Sequence, residues 1–135
     1  MKTTVLIARN LLGLLFLVFG LNEFLHFIPM PPPTGVAAQY MTVLSETHYM
    51  VPVFLFETLG GILLLANRYV ALGLVFLGPV LVNILMFHGL MAPEGLPVAL
   101  VATVLWALVF TGVRERFSGV LRLELSLIRS GELKR

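Results

Sequence analysis

Asn22, Glu23, His26, Glu57, Asn83 and His88 are the side chains of this sequence that could do acid–base or hydrogen-bond chemistry in an unexpected place. All six are embedded in long apolar stretches. Holding an ionisable group in hydrocarbon costs several kcal/mol, so a residue that stays there is a functional-site candidate. A carboxyl group in that setting can carry a proton, or hydrogen-bond a carbonyl such as a quinone's. Asparagine can contact a ligand or bond two helices together. Histidine could hold a metal or haem. Neither His26 nor His88 has a second histidine at i+4, so no metal site is expected.

These residues need elements that hold them at one level. Residues 4–28, 49–66, 69–89 and 96–113 are apolar runs, each close to the ~20 residues a bilayer requires. Backbone groups in lipid must bond within their own segment, so each span is expected to be a helix. The expected fold class is therefore all-α. Residues 1–116 form an integral membrane four-helix bundle, and residues 117–135 a basic tail. The connectors carry turn signals. The run from Pro29 to Gly35 reads as a stiff, polyproline-like exit from the first span. Asn67-Arg68 reads as a tight turn, and Ala92-Pro93-Glu94-Gly95 closes the last two spans. Pro79 predicts a kink inside the third span. A cleaved signal peptide ending near Ala37 fits less well, because the apolar run is too long and prolines intervene. Residues 117–127 mix apolar and charged types, which suits a helix on the inner membrane surface or an ordinary solvated one.

Composition agrees with a membrane protein. Hydrophobic residues make up 59% of the chain and charged ones 12%, against about 25% charged in a soluble domain. Cysteine is absent, which excludes disulfides, thiolate metal sites and dithiol redox chemistry. Aspartate is absent too, so carboxylate chemistry falls to seven glutamates. All nine Lys and Arg residues fall on one side of the four-span arrangement. The positive-inside rule then places both termini in the cytoplasm.

Depth follows from the helical rise of about 1.5 Å per residue. Counted from outer ends at Ile28, Tyr49 and Gly89, Asn22, Glu23 and Asn83 lie roughly 8–9 Å deep and Glu57 roughly 12 Å. His26 and His88 lie within roughly 3 Å of the boundary. Three spans thus present polar groups at one level of the outer leaflet, with two histidines at the mouth. Around the first helix, Gly13, Gly20 and Glu23 share one side and Asn22 and His26 widen that arc. Arg9 lies deeper on the same side and is expected to snorkel to the cytoplasmic face. In the second span Glu57, Gly60, Gly61 and Leu64 share a face, and small residues there imply close helix approach. Asn83 shares a face with Pro79 and Phe87, whereas His88 lies about 140° away on a regular helix. Trp106, mid-span, reads as packing.

The segments Gly20-Leu-Asn-Glu-Phe-Leu-His26-Phe-Ile-Pro29-Met-Pro31, Glu57 with Gly60-Gly61, and Gly78-Pro79-Val-Leu-Val-Asn83-Ile-Leu-Met-Phe87-His88 resemble the three motif regions of DoxX-like membrane proteins. The resemblance spans about residues 5–117. It implies a four-helix bacterial inner-membrane protein. Relatives are linked to quinol-dependent oxidases, thiosulfate–quinone oxidoreduction and oxidative-stress complexes. Two departures stand out. The family often has Gly or Lys at the position of Glu23, and often a glutamate in the fourth span, where this chain reads Val104-Leu105-Trp106-Ala107. A lysine would pair with Glu57. A glutamate instead calls for a shared proton or an outside cation.

The function expected from these features is a redox-associated membrane subunit that binds a quinone or similar small apolar molecule. Glu57, Asn83 and His26 would be its proton or hydrogen-bond partners. No flavin, haem or metal motif is evident, so redox work would require a partner or a bound electron carrier. The competing classes are a non-catalytic scaffold or assembly factor and a small proton-coupled carrier. The latter would need further copies of the chain to build a transporter. The lipid bilayer and a soluble or membrane redox protein are the other implied partners; nucleic acid is not.

Overall fold

Where apolar side chains remove water from the backbone, amides can bond only to one another, and the chain answers with helices. The computed structural model describes the backbone of residues 2–132 and the side chains of residues 2–115 and Phe117. Five α-helices account for most of it: α1 (Lys2–Leu25), α2 (Gly35–Glu46), α3 (Met50–Leu65), α4 (Val70–Leu90) and α5 (Leu96–Glu132), with one 3-10 turn at Pro93–Gly95. Among the described residues there is no strand. Helix α1 packs on α3 and α5, and α4 packs on the same two, which closes a four-helix ring.

Three helical segments, Lys2–Leu25, Val70–Leu90 and Pro93–Glu115, are long and apolar enough to cross a membrane. A fourth qualifies only if α2 and α3, bent by 89° at their junction, count as one broken span. Alone, α3 has 16 residues and rises about 24 Å, short of the ~30 Å hydrocarbon layer. The apolar run expected over residues 49–66 is this helix, Met50–Leu65, and it is long enough to cross a membrane only together with α2. The bend at Thr47–Tyr49, where His48 takes φ +57°, ends the straight run. The outward faces are apolar throughout: Leu6, Ile7, Leu14, Leu55, Leu72, Val75, Val82, Val101 and Val104 are all exposed. Such a belt is consistent with a multi-pass membrane protein.

Small residues set the closest approaches. At Gly61 a Cβ would lie 2.7 Å from the backbone N of Leu17 and 2.8 Å from the carbonyl of Gly13. At Gly60 it would lie 2.6 Å from Leu77 of α4. Glu57's face is thus the packed one, as its spacing implied. The core around these contacts is Leu12, Phe16, Leu64, Leu74, Leu77 and Val109, all fully buried. The α3–α4 connection is the expected tight turn. Asn67 takes φ +53°, and N–H groups of Asn67 and Arg68 cap the carbonyls of Leu64 and Leu63 at 3.2 and 3.3 Å, a Schellman arrangement.

Pro79 lies inside α4, which continues through it. One turn earlier the carbonyl of Leu74 accepts a bond from the Trp106 indole N–H at 3.2 Å, and that ring stacks on Phe110. Trp106 is packing, as its mid-span place suggested. Arg9 differs from expectation: it is only 8% exposed. Its Nη2 donates to Asn10 Oδ1 at 3.2 Å, while Nη1 is buried with no partner among the described residues. The Gly13–Gly61 contact draws α3 over α1 one turn above, so the guanidinium is enclosed instead of snorkelling. Helix α5 runs unbroken into the basic tail. The tail's side chains beyond Phe117, and hence its placement on a membrane surface, lie outside the described residues.

Candidate functional site

Away from the glycine contacts, larger side chains hold the helices apart. Phe16 and Phe19 of α1, Phe54 of α3 and Phe87 of α4 border a cavity of about 330 Å³ at the α2 end of the bundle. Its α4 and α5 walls are completed by Val80, Ile84, Val98, Ala99 and Ala102, and Met30, Met41 and Met50 also line it. The lining is mostly apolar, with a few convergent polar groups, as in small-molecule sites generally.

Those polar groups include four of the six residues singled out by sequence. Glu23, Glu57, Asn83 and His88 line this one cavity, from α1, α3 and α4. Glu57 is 7% exposed and makes no hydrogen bond within the described residues. Gly20 sets its position: a Cβ there would lie 3.0 Å from Glu57 Cβ and 2.7 Å from Thr58 Oγ1. Only glycine lets α1 and α3 meet at that level. Glu23 faces the same space, near enough for its charge to be felt at Glu57.

His88 shares the cavity with Asn83 despite the 140° between them. After α4 the chain turns back against the His88 ring. His88 Nδ1 donates to the carbonyl of Ala92 at 2.9 Å, and the ring lies on Gly95, where any side chain would collide with it. A carbonyl only accepts, so Nδ1 carries the proton. In the neutral ring Nε2 is then an acceptor.

Asn22 and His26 are placed elsewhere. Asn22 is 2% exposed and bonds the backbone of Ile28 with both ends of its amide: Oδ1 accepts from N–H at 2.6 Å and Nδ2 donates to C=O at 3.3 Å. It is a structural clamp on the chain leaving α1. His26 is exposed, with φ +52°, and its N–H caps the Asn22 carbonyl at 2.7 Å. It is the left-handed residue that ends α1. Its imidazole stands near Glu23 but outside the cavity wall. The reason is local: α1 stops at Leu25, three residues before the expected end, and the reversal there turns His26 away.

The sequence reading missed the contribution of α2. Tyr40, Met41 and Leu44 cover the cavity, Ala37 is buried beneath them, and the Tyr40 ring stacks on Phe87 with centroids 5.9 Å apart. The signal was present, since 37, 40, 41 and 44 follow the i, i+3, i+4, i+7 spacing of an amphipathic helix. The prolines before it drew attention to an extended segment instead. Among the described residues no group of three or more metal-ligating side chains comes together. No protein-family model, curated protein or solved structure matches this chain.

Proposed function

We propose that this protein is a DoxX-like subunit of the bacterial inner membrane that binds a quinone or quinol in this cavity. Both termini lie in the cytoplasm, and the cavity opens in the outer leaflet. The observation that carries the reading is one 330 Å³ space in which Glu23, Glu57, Asn83 and His88 share walls with Phe16, Phe19, Phe54 and Phe87. A flat ring suits the aromatic walls. Polar atoms at the ring's edge suit the carboxyl, amide and imidazole groups. The Asn83 amide N–H can donate to a quinone carbonyl, and the His88 Nε2 lone pair and either carboxylate can accept from a quinol O–H. A carboxyl group that takes that proton acts as general base. The electrons need a second protein or a carrier, which makes this chain a subunit rather than a complete enzyme.

Extraction of the purified protein into organic solvent tests the ligand. A quinone should be recovered in near-stoichiometric amount, retained in large part by Glu57→Gln and lost in Glu57→Ala. An extract with lipid but no quinone would overturn the assignment. Orientation is tested separately. A reporter fused after Arg135 should be active only when it is of the cytoplasmic type, and one inserted at Glu94 only when it is of the external type.

A further inference from the structure

The charges of the cavity do not balance. Two carboxyl groups, Glu23 and Glu57, stand on its wall with no lysine or arginine among the lining residues. Glu57, more than nine-tenths buried, has no hydrogen-bond partner within the described residues. The titratable groups that face Glu57 are Glu23 from α1, Tyr40 from α2 and His88 from α4, and α5 contributes only Val98, Ala99 and Ala102. His26 lies near Glu23 but outside the wall. Arg9 belongs to the opposite end of α1, roughly 21 Å away by helical rise. His88 does not make good the deficit in its neutral form, because its one N–H is spent on Ala92. The remaining surface is aromatic: Phe16, Phe19, Phe54, Phe87 and the Tyr40 ring. Ring faces attract cations, most strongly where water is excluded.

A proton on a carboxyl group neutralises it but leaves the rings unused. A compact apolar cation satisfies both sets of groups. We propose that the cavity binds a small lipophilic ammonium ion, protonated or quaternary, in exchange for a proton carried by Glu23 or Glu57. The cation sits among the aromatic rings with its charge toward Glu57. The displaced proton leaves to solvent, so the net charge of the cavity is unchanged. This rests on the cavity being a ligand site, as under the function proposed above, and not on that ligand being a quinone.

The test uses the full chain in lipid nanodiscs with two probes in parallel, benzyltrimethylammonium and duroquinone. Benzyltrimethylammonium should bind saturably, release about one proton per ion in weakly buffered solution, and bind more tightly as pH is raised from about 6 to about 9, because the proton competes for the same carboxyl pair. Glu57→Gln should weaken it by at least about tenfold and abolish proton release. The wild-type proton count and pH profile need no variant to fold. Absence of saturable cation binding, or binding with no proton release and no pH dependence, overturns the inference. Duroquinone binding alongside such a failure leaves the quinone reading standing. Cation binding without quinone binding supports this inference and removes that reading.

Discussion

The two ends of the bundle are built on opposite principles. At the end that carries Lys2, Arg9 and Arg68, Gly13 and Gly61 let α1 and α3 touch backbone to backbone, and Gly60 admits Leu77 from α4. At the α2 end α1 and α3 still meet at Gly20, and phenylalanines border a cavity between that pair and α4 and α5. Both ends bury a charged residue, Arg9 at 8% and Glu57 at 7% exposure. Their settings differ. Arg9 is enclosed by packing, its Nη1 without a hydrogen-bond partner among the described residues, whereas Glu57 borders a space that a ligand can fill. The lesson is that burial alone does not mark a site. What separates the two is room: Arg9 is buried among packed side chains, whereas Glu57 lines a cavity bordered by aromatic rings.

The contrast predicts a graded set of mutational effects. The largest is expected at the tight end. In Gly61→Leu the new side chain meets backbone atoms of Leu17 and Gly13 that cannot move aside, so α1 and α3 must separate. Overpacking of this kind costs about 3 kcal/mol or more, and the variant should lose its folded, monodisperse form in detergent. Leu63→Val, half-buried on the same helix, should cost under about 1.5 kcal/mol. Equal melting of the two variants would mean that the glycine seam does not hold the bundle.

Asn22→Ala comes next. It removes both amide bonds to Ile28 and leaves a part-buried N–H and C=O without those partners, a loss of about 1–3 kcal/mol. Thermal unfolding in detergent should show it, together with faster hydrogen exchange at Ile28. A stability equal to wild type would return Asn22 to the list of ligand contacts.

Gly95→Ala should act on the site and spare the fold. The methyl group displaces the His88 ring, and with it the Nδ1 bond to Ala92. Quinone affinity should fall about tenfold, equivalent to ~1.4 kcal/mol, with melting little changed. An unchanged affinity would show that His88 is packing. The smallest effect is expected at His26→Gly. Glycine adopts the left-handed conformation at φ +52° without Cβ strain, so stability should hold or rise by up to ~1 kcal/mol. Ligand binding should be untouched, because His26 is outside the cavity. A lost ligand in this variant would place the imidazole in the site after all.

How much of this was legible in advance depended on the range of the interaction. The all-helical pattern, the Asn67-Arg68 turn and the close-packing face of Glu57, Gly60 and Gly61 follow from neighbours a few residues apart, and each could be read from spacing. Equal depth brought Glu23, Glu57 and Asn83 toward one level, because helical rise is nearly constant. Depth and angle could not say where a helix stops. The early end of α1 turned His26 out of the site and made Asn22 a clamp, and the reversal after Leu90 turned His88 in. The lid over the cavity was spelled at 37, 40, 41 and 44, but a helix of 12 residues is marginal alone. Its docking on Phe87 is a tertiary fact.

The sequence by itself determined the four long apolar helices, their apolar exteriors and the set of polar residues they carry, because each depends on local hydrogen bonding and on periodicity. Only the tertiary structure decided which of those polar residues share a space. That choice rests on where glycine contacts bring helices together and where phenylalanines border the gap between them, and a cavity is what neighbouring helices leave unfilled.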